Sequence, residues 1–250
     1  MLRLKLLGPF ELSGPDGPIN LASGKLAGLL AYLGLARGPV SRDEAASLLW
    51  GSHFDEQAKQ NLRLFIEAEG CQARPSIGGG SFVTSDLVLT VAHVVAGSTD
   101  IDVILSNGTE ADGHVVAIDR EKDLAVLKVE TTGSPLPRGF VRPGSSGIFV
   151  VWRDDDPVAQ RFTARSFVDI NASNIDHDGP GLRRGYQIEA DVAKGDSGSV
   201  LVHDGRAVAV VFARSTSASQ RAWATDIGEA SQLIANAGDD PVPTGDCANG

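Results

Sequence analysis

The pentapeptide Gly195-Asp196-Ser197-Gly198-Ser199 places Ser197 between two glycines in a tight, polar run. Glycine adopts the backbone angles of a tight turn, so this turn can expose the Ser197 hydroxyl and let another backbone approach it closely. The backbone amides of Gly195 and Ser197 can then point at one oxyanion. A polar surface turn is the alternative interpretation, and the pentapeptide alone leaves both open.

A histidine occurs where a predicted strand ends. The segment Thr90-Val91-Ala92-His93-Val94-Val95 follows the apolar run 87–91 and opens a helical turn. His93 is therefore well placed to act as a general base. A structural histidine among apolar neighbours is the alternative.

An aspartate opens a later apolar strand. Asp123 precedes Leu124-Ala125-Val126-Leu127-Lys128-Val129. A carboxylate in this position is poorly solvated and needs a donor such as an imidazole N–H, although strand-edge aspartates at turns are also common. The three segments follow one another in the order His, Asp, Ser.

Short apolar runs separated by Gly, Asp, Asn and Pro continue along the chain after residue 70. The runs lie at 81–84, 87–91, 101–105, 114–118, 124–129, 148–152, 162–168, 200–203 and 207–213. This spacing predicts a mainly β protein built as barrels or a sandwich. The 29 glycines and 6% aromatic residues agree with a turn-rich β fold. A last helix is predicted near 227–235.

Composition excludes several classes of function. The formal net charge of −10 argues against nucleic acid as a partner of the whole molecule. No apolar run approaches the roughly 18 residues that a membrane span needs. The two cysteines, Cys71 and Cys247, have no partners at metal-ligand spacing, so no metal is expected. No cofactor is expected.

The segments around His93, Asp123 and Ser197 together resemble the three active-site segments of trypsin-like serine proteases, in that family's chain order. The short spacing from His93 to Asp123 is similar to compact bacterial members of the HtrA and MarP types. The resemblance implies a two-barrel fold over 71–250 and hydrolysis of a protein or peptide substrate. It makes Ser197 the nucleophile, His93 the general base, Asp123 the group that orients it, and the amides of Gly195 and Ser197 the oxyanion hole.

Two further expectations come from the same resemblance. The residue six positions before the nucleophile sets the primary specificity pocket in the family, and here it is Asp191, which implies cleavage after Arg or Lys. An apolar pocket with Asp191 neutralised by Lys194 is the alternative. Ile77-Gly78-Gly79 lies too close to His93 to serve as a new N-terminus, so activation by insertion of one is not expected.

The positions of the two cysteines suggest a disulfide. Cys71 precedes the first barrel, and Cys247 lies in a tail similar to the end of MarP-type proteases. The resemblance implies a bridge between them and an oxidising compartment. Two unrelated free thiols are the alternative.

Residues 1–66 resemble the winged-helix module of SARP/AfsR-type transcription regulators. The resemblance rests on Leu6-Leu7-Gly8-Pro9-Phe10-Glu11-Leu12, Lys25-Leu26-Ala27-Gly28-Leu29-Leu30 and Leu48-Leu49-Trp50-Gly51. A third helix is predicted through Ala58, Leu62 and Ile66, without the family's basic continuation and wing. Residues 1–70 therefore form a truncated module, and its net charge of about −1 makes DNA binding doubtful.

The two parts disagree on compartment, and three functions remain open. The absence of an export signal favours the cytoplasm, whereas a Cys71–Cys247 bridge favours an extracytoplasmic site. An active serine endopeptidase is the leading interpretation. The alternatives are a DNA-binding regulator with a protease-like sensor, and a pseudoprotease that only binds.

Overall fold

The structure, a computed structural model, describes residues 3–5, 11–14, 17–18, 64–70, 74–105, 107–153 and 156–246. The chain divides into two compact units, Met1–Glu56 and Gln57–Gly250. In the first unit an antiparallel sheet has the order β1-β2-β3, with β1 at Arg3–Lys5, β2 at Glu11–Gly14 and β3 at Gly17–Pro18. Most of the third helix predicted through Ala58, Leu62 and Ile66 lies outside the described residues, which resume at residue 64.

The second unit contains two closed antiparallel barrels. The first has the order β4-β5-β6-β9-β8-β7 and the second β10-β11-β12-β15-β14-β13. The first is built from β4 (Leu64–Glu69), β5 (Ser76–Phe82), β6 (Leu87–Thr90), β7 (Asp100–Ile104), β8 (Glu110–Asp119) and β9 (Leu124–Val129). The second is built from β10 (Ser146–Arg153), β11 (Asp156–Ser173), β12 (Pro180–Ala190), β13 (Val200–His203), β14 (Arg206–Arg214) and β15 (Arg221–Asp226). The predicted mainly β, two-barrel fold is confirmed.

Three short helical elements lie in the described part of this unit. Helix α1 (Ala92–Val95) follows β6 directly, and a 3₁₀ turn (Ile227–Ala230) leads into α2 (Ser231–Asn236). The last helix predicted from the sequence is therefore present. Among the described residues, no helix has the length and apolar character that crossing a membrane requires.

Each barrel is filled by its own side chains, as small barrels require. Ile66, Leu89 and Leu127 are fully buried in the first barrel. Phe149 and Phe162 are fully buried in the second. The strands that carry the active-site loops are therefore held by rigid cores.

Strand β4 corrects one expectation. Leu64, Ile66 and Ala68 are buried and alternate with more exposed neighbours, and β4 pairs with both β5 and β7. The prediction that a third helix runs through Ile66 is therefore wrong at that end, because the segment follows a two-residue period and closes the barrel. The boundary predicted after Gly70 also falls too late, since 64–69 belong to the first barrel.

We expect Ile66→Ala to lower the free energy of unfolding of the full chain by about 2–5 kcal/mol, because it leaves a cavity in the first barrel. Denaturant unfolding measures the effect. Ile77→Ala is the control, because that side chain is 41% exposed and should change stability by less than about 0.5 kcal/mol. Equal effects in the two variants would contradict a barrel position for β4.

Candidate active site

The Ser197 turn lies between β12 and β13 and is fixed against the first barrel. The carbonyl of Ser197 accepts a hydrogen bond from the amide of Gly79 at 2.7 Å. Gly198 has φ +87°, and a Cβ there would lie 2.1 Å from the Gly79 carbonyl oxygen. Only glycine at position 198 allows the Ser197 turn to approach β5 this closely.

A second close approach brings α1 to the same turn. A Cβ on Gly78 would lie 2.7 Å from a Val94 methyl and 2.8 Å from the Ser197 carbonyl oxygen. Because Gly78 has no side chain, both the helix that carries His93 and the turn that carries Ser197 pack closely against the backbone of β5. The two segments that the sequence analysis singled out are neighbours in the fold.

His93 and Asp123 are joined by two hydrogen bonds. The imidazole Nδ1 lies 2.8 Å from Asp123 Oδ2, and the His93 backbone amide donates to Oδ1 at 2.9 Å. Asp123 is buried and has φ +55°, a left-handed conformation that aspartate tolerates in turns. Because a carboxylate only accepts, Nδ1 carries a proton and Nε2 of the neutral ring is left as the basic nitrogen.

The three side chains line one cleft of about 830 Å³. Its walls are Arg74, Pro75, Ser76, Ile77, His93, Val94, Asp123, Ala172, Ser173, Asn174, Ile175, His177, Arg183, Lys194, Gly195, Ser197 and Phe212. The predicted residues His93, Asp123, Gly195 and Ser197 are all among them. The structure therefore brings together the histidine, the aspartate and the serine that the sequence predicts.

The pKa of His93 is raised above its usual value. Burial lowers it, but the charge of Asp123 and its hydrogen bond raise it by more, while the positive charge of Arg183 lowers it. The net effect makes the imidazole a stronger base.

The amides of Gly195 and Ser197 are available to a ligand. In the part of the chain that the structure describes, neither amide donates to another backbone carbonyl outside the regular elements. Gly195 has φ +95°, which glycine alone adopts without strain. These two donors form the candidate oxyanion hole.

Asp196 has a partner that no sequence motif predicts. The Asp196 side chain is fully buried, and both its oxygens accept from the Arg153 guanidinium, at 2.5 and 2.7 Å. Asp196 Oδ2 also accepts from the Ala193 amide at 2.7 Å. This ion pair ties the oxyanion loop to the end of β10. Arg153 belongs to no local motif, and nothing in its own segment could have revealed the contact.

The structure does not support the predicted role of Asp191. This residue follows the end of β12, is exposed, and is absent from the walls of the cleft, whereas Lys194 is present there. The preference for Arg or Lys therefore stays a prediction. Cys71 and Cys247 lie outside the described residues, and their bridge stays a prediction.

Two six-stranded antiparallel barrels define the chymotrypsin-type fold class, with the histidine and aspartate on the first and the serine on a loop of the second. Residues 78–210, more than half of the chain, match the trypsin-like peptidase domain. The chain belongs to that family.

Relatives from bacteria and plants share the domain. The serine protease Rv3671c of Mycobacterium tuberculosis is 32% identical over 180 residues, which cover 69% of this chain and 45% of that protein. The putative protease Do-like 14 of Arabidopsis thaliana is 30% identical over 194 residues, covering 70% of this chain and 44% of that protein. The chain thus spans a little under half the length of these relatives.

The fold comparison agrees with the sequence comparison. The crystal structure of the active form of the Rv3671c protease has a TM-score of 0.74 with this chain at 26% identity. The match covers 86% of this chain and 98% of that chain. The protease domain of that protein and this chain therefore share their architecture.

Proposed function

We propose that the protein is a serine endopeptidase that hydrolyses peptide bonds through an acyl-enzyme. The observation that carries the proposal is the fixed His93–Asp123 pair, which lines the same cleft as Ser197. The amides of Gly195 and Ser197 lie in the same loop. This arrangement provides a nucleophile, a base and an anion site together.

Acylation uses all four groups. His93 Nε2 takes the proton of the Ser197 hydroxyl as its oxygen attacks the peptide carbonyl, and Asp123 stabilises the imidazolium that forms. The amides of Gly195 and Ser197 stabilise the oxyanion of the tetrahedral intermediate. The imidazolium then protonates the leaving amine, and the Ser197 ester remains.

Deacylation repeats the sequence with water. His93 takes a proton from water, whose oxygen attacks the ester carbonyl, and the same amides stabilise the second oxyanion. The proton returns to the Ser197 oxygen as the acid product leaves. All steps use only protein groups and water.

A fluorophosphonate probe tests the proposal directly, because it labels only an activated serine. We expect labelling at Ser197, located by peptide mass spectrometry, and loss of labelling in His93→Ala. Absence of labelling in folded protein would instead favour a binding module on the same fold. Hydrolysis of a casein-derived peptide mixture, measured in parallel, distinguishes peptide hydrolysis from labelling alone.

The pH dependence of hydrolysis has a predicted sign. His93 acts as a base only when neutral, and its pKa is raised because the lowering effect of burial is outweighed by Asp123. We therefore expect kcat/KM to rise with pH along an acid limb whose midpoint lies above about 6.5, the usual pKa of histidine. Initial rates at low substrate concentration between about pH 5 and pH 9 measure the limb. A limb below the usual histidine value would contradict this electrostatic account.

The role of the N-terminal unit stays a prediction. Its resemblance to a winged helix concerns residues 1–66, of which 64–66 lie in β4. Because that strand removes the end of the predicted third helix, we do not propose a DNA-binding function. The compartment also stays a prediction.

A further inference from the structure

Arg183 is a buried cation beside the candidate triad. It lies on β12 of the second barrel, its side chain is 2% exposed, and its Nη1 lies 3.5 Å from Asp123 Oδ2. Nη1 also donates to the Lys122 carbonyl at 2.9 Å, and the guanidinium lies 4.5 Å from the centre of the Phe212 ring. A side chain of the second barrel thus contacts the aspartate of the first.

Placing a guanidinium here is costly. Its Nε–H is buried and has no hydrogen-bond partner among the residues that the structure describes. A buried cation with an unpaired donor lowers stability unless an opposite charge compensates for it. Asp123 is the buried carboxylate within reach, so each of the two charges compensates the other.

We propose that Arg183 is a positioning residue of the active site, which offsets the buried charge of Asp123 and so keeps the His93 imidazole neutral and able to accept a proton. Of the two measurements that test it, only the kinetic one rests on the proposed peptidase function. It assigns to Arg183 an effect that acts through Asp123 and His93, without contact with the reacting atoms.

The geometry explains the direction of the effect. Asp123 Oδ2 lies 2.8 Å from His93 Nδ1 and 3.5 Å from Arg183 Nη1, so the two groups share one carboxylate oxygen. A guanidinium there repels the second proton of the imidazole and lowers the pKa of His93.

Other charged groups surround this centre. Asp119 faces Arg183, and Arg74, His177 and Lys194 line the cleft that contains His93. Arg183→Gln removes the positive charge and keeps a polar side chain at this position.

The test compares Arg183→Gln, Arg183→Lys and the control Arg184→Gln. Arg184 is the next residue of β12, and its side chain is 64% exposed. Nuclear magnetic resonance of the histidine rings follows the titration of His93, and His114 and His203, which do not line the cleft, serve as internal references. The same variants are assayed for kcat/KM against pH.

We expect the titration midpoint of His93 to move to higher pH in Arg183→Gln and to stay near the wild-type value in the lysine and Arg184 variants. Relative to wild type, Arg183→Gln should lower kcat/KM by about tenfold more at low pH than on the plateau at high pH. This factor is the effect expected from losing one nearby unit charge. A purely structural role would instead lower activity equally at all pH values.

An unmoved His93 titration in folded Arg183→Gln would overturn the proposal. Should that variant not fold, Arg183→Met also removes the charge while keeping a long side chain, and is expected to move the midpoint in the same direction; an unmoved midpoint there would also overturn the proposal. Failure of the proposed peptidase function is distinguishable, because the wild-type protein would then hydrolyse no peptide while the His93 titration still responds to Arg183.

Discussion

Ser197→Ala is expected to lower kcat for peptide hydrolysis by about 10⁶-fold, the loss typical of removing the nucleophile from a serine triad. The hydroxyl lines the same cleft as His93, and no other serine of the pentapeptide does so. Without that oxygen no acyl-enzyme forms, and only binding and the oxyanion amides remain. Steady-state kinetics on a fluorogenic peptide measure the loss.

The matched control is Ser199→Ala. Ser199 lies two residues further along and is buried outside the cleft. We expect this variant to keep most of the wild-type kcat, and Ser197→Ala to unfold within about 0.5 kcal/mol of wild type. Turnover near wild type in Ser197→Ala, or its loss only in Ser199→Ala, would refute the assignment of the nucleophile.

The sequence predicts the candidate catalytic side chains of this site better than it predicts the residues that hold them in place. His93, Asp123 and Ser197 each sit at a strand end or tight turn, where local residue order reveals the structure. The strand Leu124–Val129, for example, is a continuous apolar run and is buried nearly throughout. Such runs and the turns between them predict barrels or a sandwich, and the resemblance to trypsin-like proteases favours two barrels.

Strand β4 shows where local pattern fails. Ala58, Leu62 and Ile66 are spaced four apart, which suggests a helix, whereas Leu64, Ile66 and Ala68 are spaced two apart, which suggests a strand. Ile66 belongs to both series, so periodicity alone does not decide. Pairing with β7, which lies more than 30 residues later in the chain, fixes the strand.

Asp191 shows the limit of counting along the chain. Six positions before the nucleophile is a relation within a family, and it holds only where the loop between has the same course. Here β12 ends at Ala190, and Asp191 turns to solvent directly after it. The cleft wall is formed instead by Lys194, three residues before Ser197.

The two ion pairs of the site could not be predicted from the sequence. Arg153 and Asp196 are 43 residues apart and lie on different elements, and neither lies in a motif that names its partner. Arg183 meets Asp123 across the two barrels. A contact between a long side chain and a distant loop produces no periodic pattern in the sequence, so only the folded structure shows such contacts.

Arg153→Met is expected to lower kcat by about 10² to 10³-fold, which is the cost of losing one well-placed oxyanion donor. Arg153 contacts both oxygens of Asp196, and Asp196 in turn holds the Ala193 amide just before Gly195. Without the guanidinium a fully buried carboxylate has no cation, so the loop must rearrange to hydrate it. The amides of Gly195 and Ser197 then lose their common direction. Steady-state kinetics give kcat and KM, and KM should change less.

Arg165→Met is the control, because Arg165 and its partner Glu189 are both exposed and such pairs contribute about 1 kcal/mol or less. The double variant Arg153→Met/Asp196→Asn separates charge from loop position. Removing the unpaired buried charge should make it more stable than Arg153→Met alone, since a buried carboxylate without a partner is worse than a neutral amide. Its kcat should stay low, because the introduced asparagine side chain no longer anchors the loop to β10. Wild-type kcat in Arg153→Met would show that the oxyanion loop keeps its shape without the ion pair, and that Asp196 needs no cation.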